Sequence, residues 1–222
     1  WTLERIHARS GHRWCGPVHE QLASDGPATV AGSQIVLRHL RDPAEPRETY
    51  LRLLRQAVAE RPDDGRLAHL EANEARLRGL ADDAREGFHR ALRLDLPANE
   101  RLHSMLMLSH LEPEAREDWL LRACSLFPRR REPWCELAQA HLDAGRWRAA
   151  RAVALRALAI DDVADDYLTN PLAWGAWPEQ VAASAAAQLG LAPETAHHVR
   201  QAAATSFSEP GCAGRGRADL GP

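Results

Sequence analysis

The chain has 222 residues and a formal net charge of −3, and 27% of its residues are charged. This length allows one large or two small domains with a hydrophobic core. No apolar run approaches the roughly 20 residues that cross a bilayer, so we expect no transmembrane segment and a cytoplasmic protein. The acidic balance argues against nucleic acid as a partner, because a nucleic-acid surface requires clustered positive charge.

The first 42 residues have the pattern of strands. The sequence predicts one strand around Arg5–Arg9, a second over His12–Glu20 that is broken at Gly16-Pro17, and a third over Gln34–His39. Three short strands do not make a stable sheet alone, so their partner strands should lie elsewhere. The chain also begins at Trp1 in what resembles the middle of a domain. We therefore expect a fragment of a larger protein.

A connector helix is predicted within residues 43–62. Two prolines in Asp42–Pro46 break the preceding strand, and the next run, Arg47–Glu60, has apolar residues at helical spacing. Those residues are Tyr50, Leu51, Leu53, Leu54, Ala57 and Val58. Pro62–Gly65 ends the helix. We expect it to attach the strands to the helical region that follows.

A helical hairpin is predicted over Arg131–Asp162 and is echoed earlier in the chain. Large residues at Trp134 and Leu137, a glycine at Gly145 and small residues after it fit two antiparallel helices in close contact. The same pattern of residues occurs 66 positions upstream, around Gly79 and Phe88. A match at two units of about 33 residues resembles the tetratricopeptide repeat. An unrelated alanine-rich hairpin is the alternative.

The repeat region is predicted to cover residues 63–205. It contains units over 65–96, 98–128 and 131–162, an insertion over 163–177, and a closing helix pair over 178–189 and 193–205. The tryptophans of the insertion could bind sugar rings, but capping the apolar end of the stack is the favoured interpretation. Residues 206–222 have no apolar periodicity, which predicts a disordered tail. The fold class is therefore mainly α, a tetratricopeptide-like superhelix preceded by a few strands.

One polar face in the first repeat is a candidate partner-binding groove. Arg66, His69, Asn73 and Arg76 are spaced three, four and three residues apart, which puts them on one side of a helix. First helices line the groove of tetratricopeptide arrays, and arginine and asparagine can donate to a peptide carboxylate. The alternative is an ordinary solvated face, which every amphipathic helix has.

A second resemblance involves the N-terminal strands. The run Arg5–Arg9, followed by Trp14-x-Gly16-Pro17-Val18-His19-Glu20 and Ile35-Val36-Leu37-x-His39, is similar to the closing segment of bacterial family-2 glycosyltransferases of GT-A fold. In that family such strands precede a linker helix and tetratricopeptide repeats. The resemblance implies that residues 1–42 are the C-terminal remnant of a glycosyltransferase catalytic domain.

The resemblance also implies roles for three residues. His19 would be a ligand of the divalent metal, Mn²⁺ or Mg²⁺, that holds the nucleotide-sugar donor in the full-length enzyme. Trp14 and Glu20 would lie at the donor or acceptor site. The metal-binding acidic motif and the general base of the family would precede Trp1, so this fragment contains no catalytic residue and should be inactive alone. An ordinary hydrogen-bonded histidine is the alternative for His19.

Two functions follow from these patterns. The first is the C-terminal part of a glycosyltransferase that moves a sugar from a nucleotide-sugar donor to an acceptor, with the repeats docking a peptide or protein acceptor or partner. The alternative is a non-catalytic tetratricopeptide adaptor for protein–protein interaction.

Overall fold

The computed structural model describes residues 10–15, 21–27, 47–163 and 168–206. These ranges contain ten α-helices and one two-stranded sheet, which confirms the mainly helical fold class. The helices are α1 Arg47–Glu60, α2 Gly65–Leu77, α3 Ala81–Arg93, α4 Ala98–Leu111, α5 Arg116–Leu126, α6 Arg131–Asp143, α7 Trp147–Leu158, α8 Pro171–Trp174, α9 Trp177–Gln188 and α10 Ala192–Ser206. The predicted strands around Arg5–Arg9 and Gln34–His39 and the tail from residue 207 lie outside the described residues.

The described part of the predicted strand region contains two short paired strands. Strand β1, His12–Cys15, pairs antiparallel with β2, Gln21–Ser24, and Trp14 lies opposite Leu22. β1 confirms the first half of the strand predicted over His12–Glu20, whereas β2 was not predicted. Its sequence, Gln-Leu-Ala-Ser, offers a single large apolar residue, so strand periodicity is not visible in it.

The chain forms two compact units, residues 1–111 and 112–222. In the first unit, α1 has the predicted bounds and packs on α2. The core between them contains Leu54, Ala57, Val58 and Leu67, with Tyr50 and Leu70 at its edge. Burial of this apolar stripe is what holds α1 in place, because a 14-residue helix is marginal by itself. Its attachment to a catalytic domain stays a prediction.

Helices α2 and α3 form the predicted first hairpin. Gly79 has a φ of +74°, the left-handed conformation that the tight turn between them requires. Further along, a Cβ on Gly87 of α3 would lie only 2.8 Å from the Cβ of Ala72 on α2. The two helices can approach this closely only because Gly87 has no side chain. Phe88, which is fully buried, fills the space next to this contact.

In the second unit, α6 and α7 form the hairpin predicted over Arg131–Asp162. Gly145 at its turn has a φ of +70°, and small residues line the helix contact. Ala138, Ala150, Ala154 and Ala157 are all fully buried. Ala150, Ala154 and Ala157 are the small residues after Gly145 for which the sequence predicted close helix contact. The preceding segment consists of a 3₁₀ turn, Pro113–Ala115, and α5, which packs on α6.

The insertion contains a short helix that was not predicted. α8 spans four residues and begins at Pro171, after the side chain of Asn170 accepts a hydrogen bond from the backbone N–H of Leu172 at 3.0 Å. Trp174 and Trp177 pack with Trp134 against Cys135, Ala157 and Ala173. Trp174 and Trp177 thus have a packing role beside α6 and α7, while the interpretation as a cap on the apolar end of the stack stays a prediction. Tyr167, the third aromatic residue of the insertion, lies outside the described residues.

The two cysteines of the helical region, Cys124 and Cys135, are buried and have packing roles. Among the described residues, Cys15, Cys124 and Cys135 have free thiols. Burial raises the pKa of Cys124 and of Cys135 to about 12, so both stay protonated and unreactive at neutral pH. Within the described ranges, no helix is both long and apolar enough to cross a membrane.

Candidate partner-binding surface

The predicted groove residues lie along α2, beside α4. The side chain of Asp64 caps α2 by accepting from the backbone N–H of Leu67 at 3.0 Å, which fixes where the helix begins. α4 contacts both α2 and α3. The surface formed by α2 and α4, here called the α2–α4 face, therefore includes residues from two consecutive repeats.

Arg66 joins the two helices at the start of this face. Its guanidinium lies 3.5 Å from the carboxylate of Glu100 on α4, and the Glu100 side chain is 4% exposed. A carboxylate this deeply buried needs a positive partner. Arg66 therefore has a structural task, and its charge is largely neutralised before any partner binds.

His69 lies in the interior. It is 1% exposed, and its Nδ1 is 2.9 Å from Oγ of Ser104 on α4. The Ser104 hydroxyl donates to the carbonyl of Glu100 at 2.8 Å, so its single hydrogen is used there. Nδ1 of His69 must consequently be the donor, which fixes the tautomer of the ring. The ring also contacts Phe88 and His103, with centroid distances of 5.8 and 5.2 Å.

Among the predicted groove residues, Asn73 and Arg76 are bonded to each other, whereas Arg66, which is also partly exposed, pairs with Glu100. Asn73 and Arg76 are both partly exposed, and Asn73 Oδ1 accepts two hydrogen bonds from Arg76, at 3.2 Å from Nε and 3.0 Å from a terminal nitrogen. The amide oxygen orients the guanidinium but does not cancel its charge. In the part of the chain that the structure describes, Arg76 forms no ion pair.

His103 on α4 completes this end of the face. Burial, and secondarily the charge of Arg76, lowers the pKa of His103 to about 4, so the ring is neutral at pH 7. Its Nδ1 is buried and has no hydrogen-bond partner among the residues described. The α2–α4 face thus offers a positive Arg76, oriented by Asn73, beside the neutral imidazole of His103.

The α4 residues of the α2–α4 face were not predicted from the sequence. Glu100 and His103 lie 34 positions after Arg66 and His69, which is one repeat length. Extending the predicted face by one repeat would therefore have found both. The middle unit lacks the glycine of its neighbours, so the alignment that reveals this offset was hidden.

A separate acidic pocket lies between α2 and α3. It has a volume of about 190 Å³ and is lined by Glu71, Asp83, Glu86, Gly87 and Arg90. Arg55 of α1 binds Asp83 at 2.5 Å and lies 3.8 Å from Glu71. Burial raises the pKa of Glu71 despite the nearby charges of Arg90 and Arg55. This network of charges ties three helices together.

The residues predicted for sugar transfer are only partly described. Trp14 lies on β1, and 46% of it is exposed. His19 and Glu20 lie outside the described residues, so their roles at a metal and at the donor or acceptor site stay predictions. In the described part of the chain, no three His, Cys, Asp or Glu residues are grouped so that they could hold a metal.

Solved structures with a similar fold are tetratricopeptide proteins. No protein-family profile and no curated protein sequence matches this chain. The crystal structure of MamA is similar with a TM-score of 0.58 and 17% identity, over 72% of this chain and 88% of MamA. YrrB, described as a TPR protein with an unusual peptide-binding site, has a TM-score of 0.54 and 15% identity, over 72% of this chain and 77% of its own.

A third similar structure is that of the Cut9–Hcn1 hetero-tetramer of the APC/C. Its TM-score is 0.54 at 17% identity, and the match covers 72% of this chain and 30% of the other. At these identities the likeness shows the fold alone. It confirms that the helical region is of the tetratricopeptide type, and it gives no support to a GT-A domain.

Proposed function

We propose that this protein is an adaptor that binds an acidic peptide segment of another protein on the α2–α4 face. The tetratricopeptide fold supports a role in protein–protein interaction, because such folds present extended surfaces made from successive helices. The comparisons support this role better than sugar transfer. Glycosyltransferase activity in a longer protein, with its divalent metal and nucleotide-sugar donor, stays a proposal that no described residue tests.

The observation behind the acidic ligand is the position of Arg76. Its guanidinium is oriented by a neutral amide, as shown by the 3.0 and 3.2 Å contacts to Asn73, and it retains its full charge. A carboxylate is the group that this planar donor binds best, in a bidentate geometry. His103 is neutral at pH 7, so the positive charge that attracts a carboxylate at this end of the face comes from Arg76.

The test uses the full chain and a pool of fluorescent, end-blocked peptides that contain Asp and Glu, with matched Asn and Gln versions. We expect the acidic peptides to bind at least ten times more tightly in fluorescence anisotropy. The Arg76→Gln variant should lose this preference, since a charge-assisted hydrogen bond contributes about 1.5–3 kcal/mol. Arg85→Gln is the matched control, because Arg85 is paired with Asp82 at the surface of α3.

Two results would contradict the proposal. Equal binding of acidic and amide peptides by the wild-type chain would exclude a carboxylate as the recognised group. An unchanged preference in Arg76→Gln would place the binding site elsewhere on the molecule.

A further inference from the structure

The face of α6 that corresponds to the predicted groove of α2 is already occupied by another segment of the chain. The residues 66 positions after Arg66, His69, Asn73 and Arg76 are Glu132, Cys135, Gln139 and Leu142. Because the two hairpins match at this offset, the four residues lie on the corresponding side of α6. The insertion segment, residues 168–176, and the start of α9 lie against them.

The insertion segment contacts two side chains of this face, those of Glu132 and Cys135. Oε1 of Glu132 accepts from the backbone N–H of Asn170 at 3.3 Å and from Nε1 of Trp174 at 3.4 Å. The thiol of Cys135 is 3.9 Å from the carbonyl of Ala173, which is fully buried. The face therefore binds the segment through the backbone N–H of Asn170, the indole N–H of Trp174 and the small residue Ala173.

The insertion segment contacts this face through some of its residues and exposes another to solvent. Leu172, between the two anchoring groups, is 68% exposed. α8 has only four residues, so it cannot be stable without the contacts to its surroundings. The indole of Trp174 is covered by the guanidinium of Arg131, whose central carbon is 4.2 Å from the ring centroid. Trp174 and Ala173 are thus the buried anchors of the segment, and Leu172 between Asn170 and these anchors is left in solvent.

Release of the segment would leave no buried charge without a partner. Glu132 is 2% exposed while the segment is in place, and both of its oxygens also accept from Arg130 at 3.1 Å. If α8 leaves, the ion pair with Arg130 remains and water replaces the two N–H donors. The high cost of a buried, unpaired carboxylate is avoided.

We propose that this face of α6 is a second peptide-binding site, that it recognises an apolar segment with an N-capped turn followed by a tryptophan, and that residues 168–176 occupy it in the free protein. A partner segment of the same chemistry binds when the insertion segment is released. This site is independent of the α2–α4 face, since its ligand has no carboxylate and does not contact Arg76.

The test supplies the segment as a separate molecule. In a variant of the full chain, residues 168–176 are replaced by a glycine-serine linker of equal length, and its helical content is checked by circular dichroism. The probe is a fluorescein-labelled, end-blocked peptide, LTNPLAWGA, which is the sequence of residues 168–176. We expect the variant to bind it at least ten times more tightly than the wild-type chain, in which the face is occupied.

Two controls define the contacts. The same peptide with alanine in place of its tryptophan should bind the variant at least fivefold more weakly, and so should the original peptide when Glu132→Gln is added to the variant. A folded variant that binds neither peptide, or both equally, would overturn the proposal.

A second measurement covers the case in which the linker variant does not fold. Hydrogen exchange of the wild-type chain should show the amides of α8 opening at least ten times more often than those of α6 and α9. If the amides of α8 exchange only together with α6 and α9, the segment is a permanent part of the core and the proposal is wrong.

Discussion

Nδ1 of His69 on α2 donates a hydrogen bond to Oγ of Ser104 on α4 across 2.9 Å, in the interior of the first unit. This bond joins two consecutive first helices directly. It also explains why a polar residue predicted to line a groove is instead 1% exposed. The pair holds α2 and α4 at the separation that brings Arg76 and His103 together.

Replacing His69 by alanine should destabilise the protein strongly. The change removes the bond to Ser104 and leaves a cavity beside Phe88, and we expect a loss of about 2–4 kcal/mol in the free energy of unfolding. Urea denaturation measures it. Arg52→Ala, at an exposed position of α1, is the control and should cost within about 0.5 kcal/mol. Equal effects of the two substitutions would show that His69 is not buried as described.

Gly87→Ala should push α2 and α3 slightly apart and destabilise the protein. Its Cβ would lie 2.8 Å from Cβ of Ala72, closer than real side chains approach. Such overpacking costs about 1–3 kcal/mol, measurable as a lower midpoint of thermal unfolding. The added substitution Ala72→Gly removes the clash, so the double variant should be more stable than the sum of the two single effects predicts. Simple additivity would contradict the close contact.

The protein should become less stable as the pH falls, because His103 binds a proton more readily in the unfolded chain. Burial and Arg76 lower its pKa to about 4 in the folded state, below its ordinary value of 6.5. The unfolded chain therefore binds the proton more readily, and stability that is present above pH 6.5 is lost as pH falls toward 4. The total effect is on the order of 3 kcal/mol at most.

The measurement for His103 is a series of urea denaturations at four pH values between 7 and 4. The difference in unfolding free energy between the wild-type chain and His103→Gln isolates this histidine, because other titrating groups contribute equally to both. We expect the advantage of the wild-type chain to shrink steadily across the series. A constant difference would mean that the ring titrates normally.

The ion pairs of the neighbouring residues Arg129 and Arg130 should contribute differently to the stability of the protein. Arg130 and Glu132 are 13% and 3% exposed in their side chains, whereas Arg129 and Asp162 are 82% and 69% exposed. Glu132→Ala removes the buried carboxylate that binds the guanidinium of Arg130 and should cost about 3–5 kcal/mol. Asp162→Ala should cost about 0–1 kcal/mol. Chemical denaturation compares them, and similar losses would contradict the burial of Glu132.

Much of the helical region was predictable because its pattern is local. The bounds of α1 follow from apolar spacing between two proline-rich breaks, and the hairpins follow from Gly79, Gly145 and the alanines 66 residues apart. These residues act through helix periodicity and turn geometry, which need no knowledge of distant neighbours. α8 and β2 were missed because each is four residues long and depends on contacts outside itself.

The sequence by itself determined the long helices, the repeat and the polar composition of α2, since all three depend on spacing along the chain. Only the tertiary structure decided which polar residues are accessible. His69 is buried against Ser104 of α4 and Arg66 pairs with buried Glu100, whereas Asn73 and Arg76 bond to each other and are partly exposed. The difference arises because burial and pairing depend on the neighbouring helix, whose register against α2 is set by packing and not by the sequence of α2 alone.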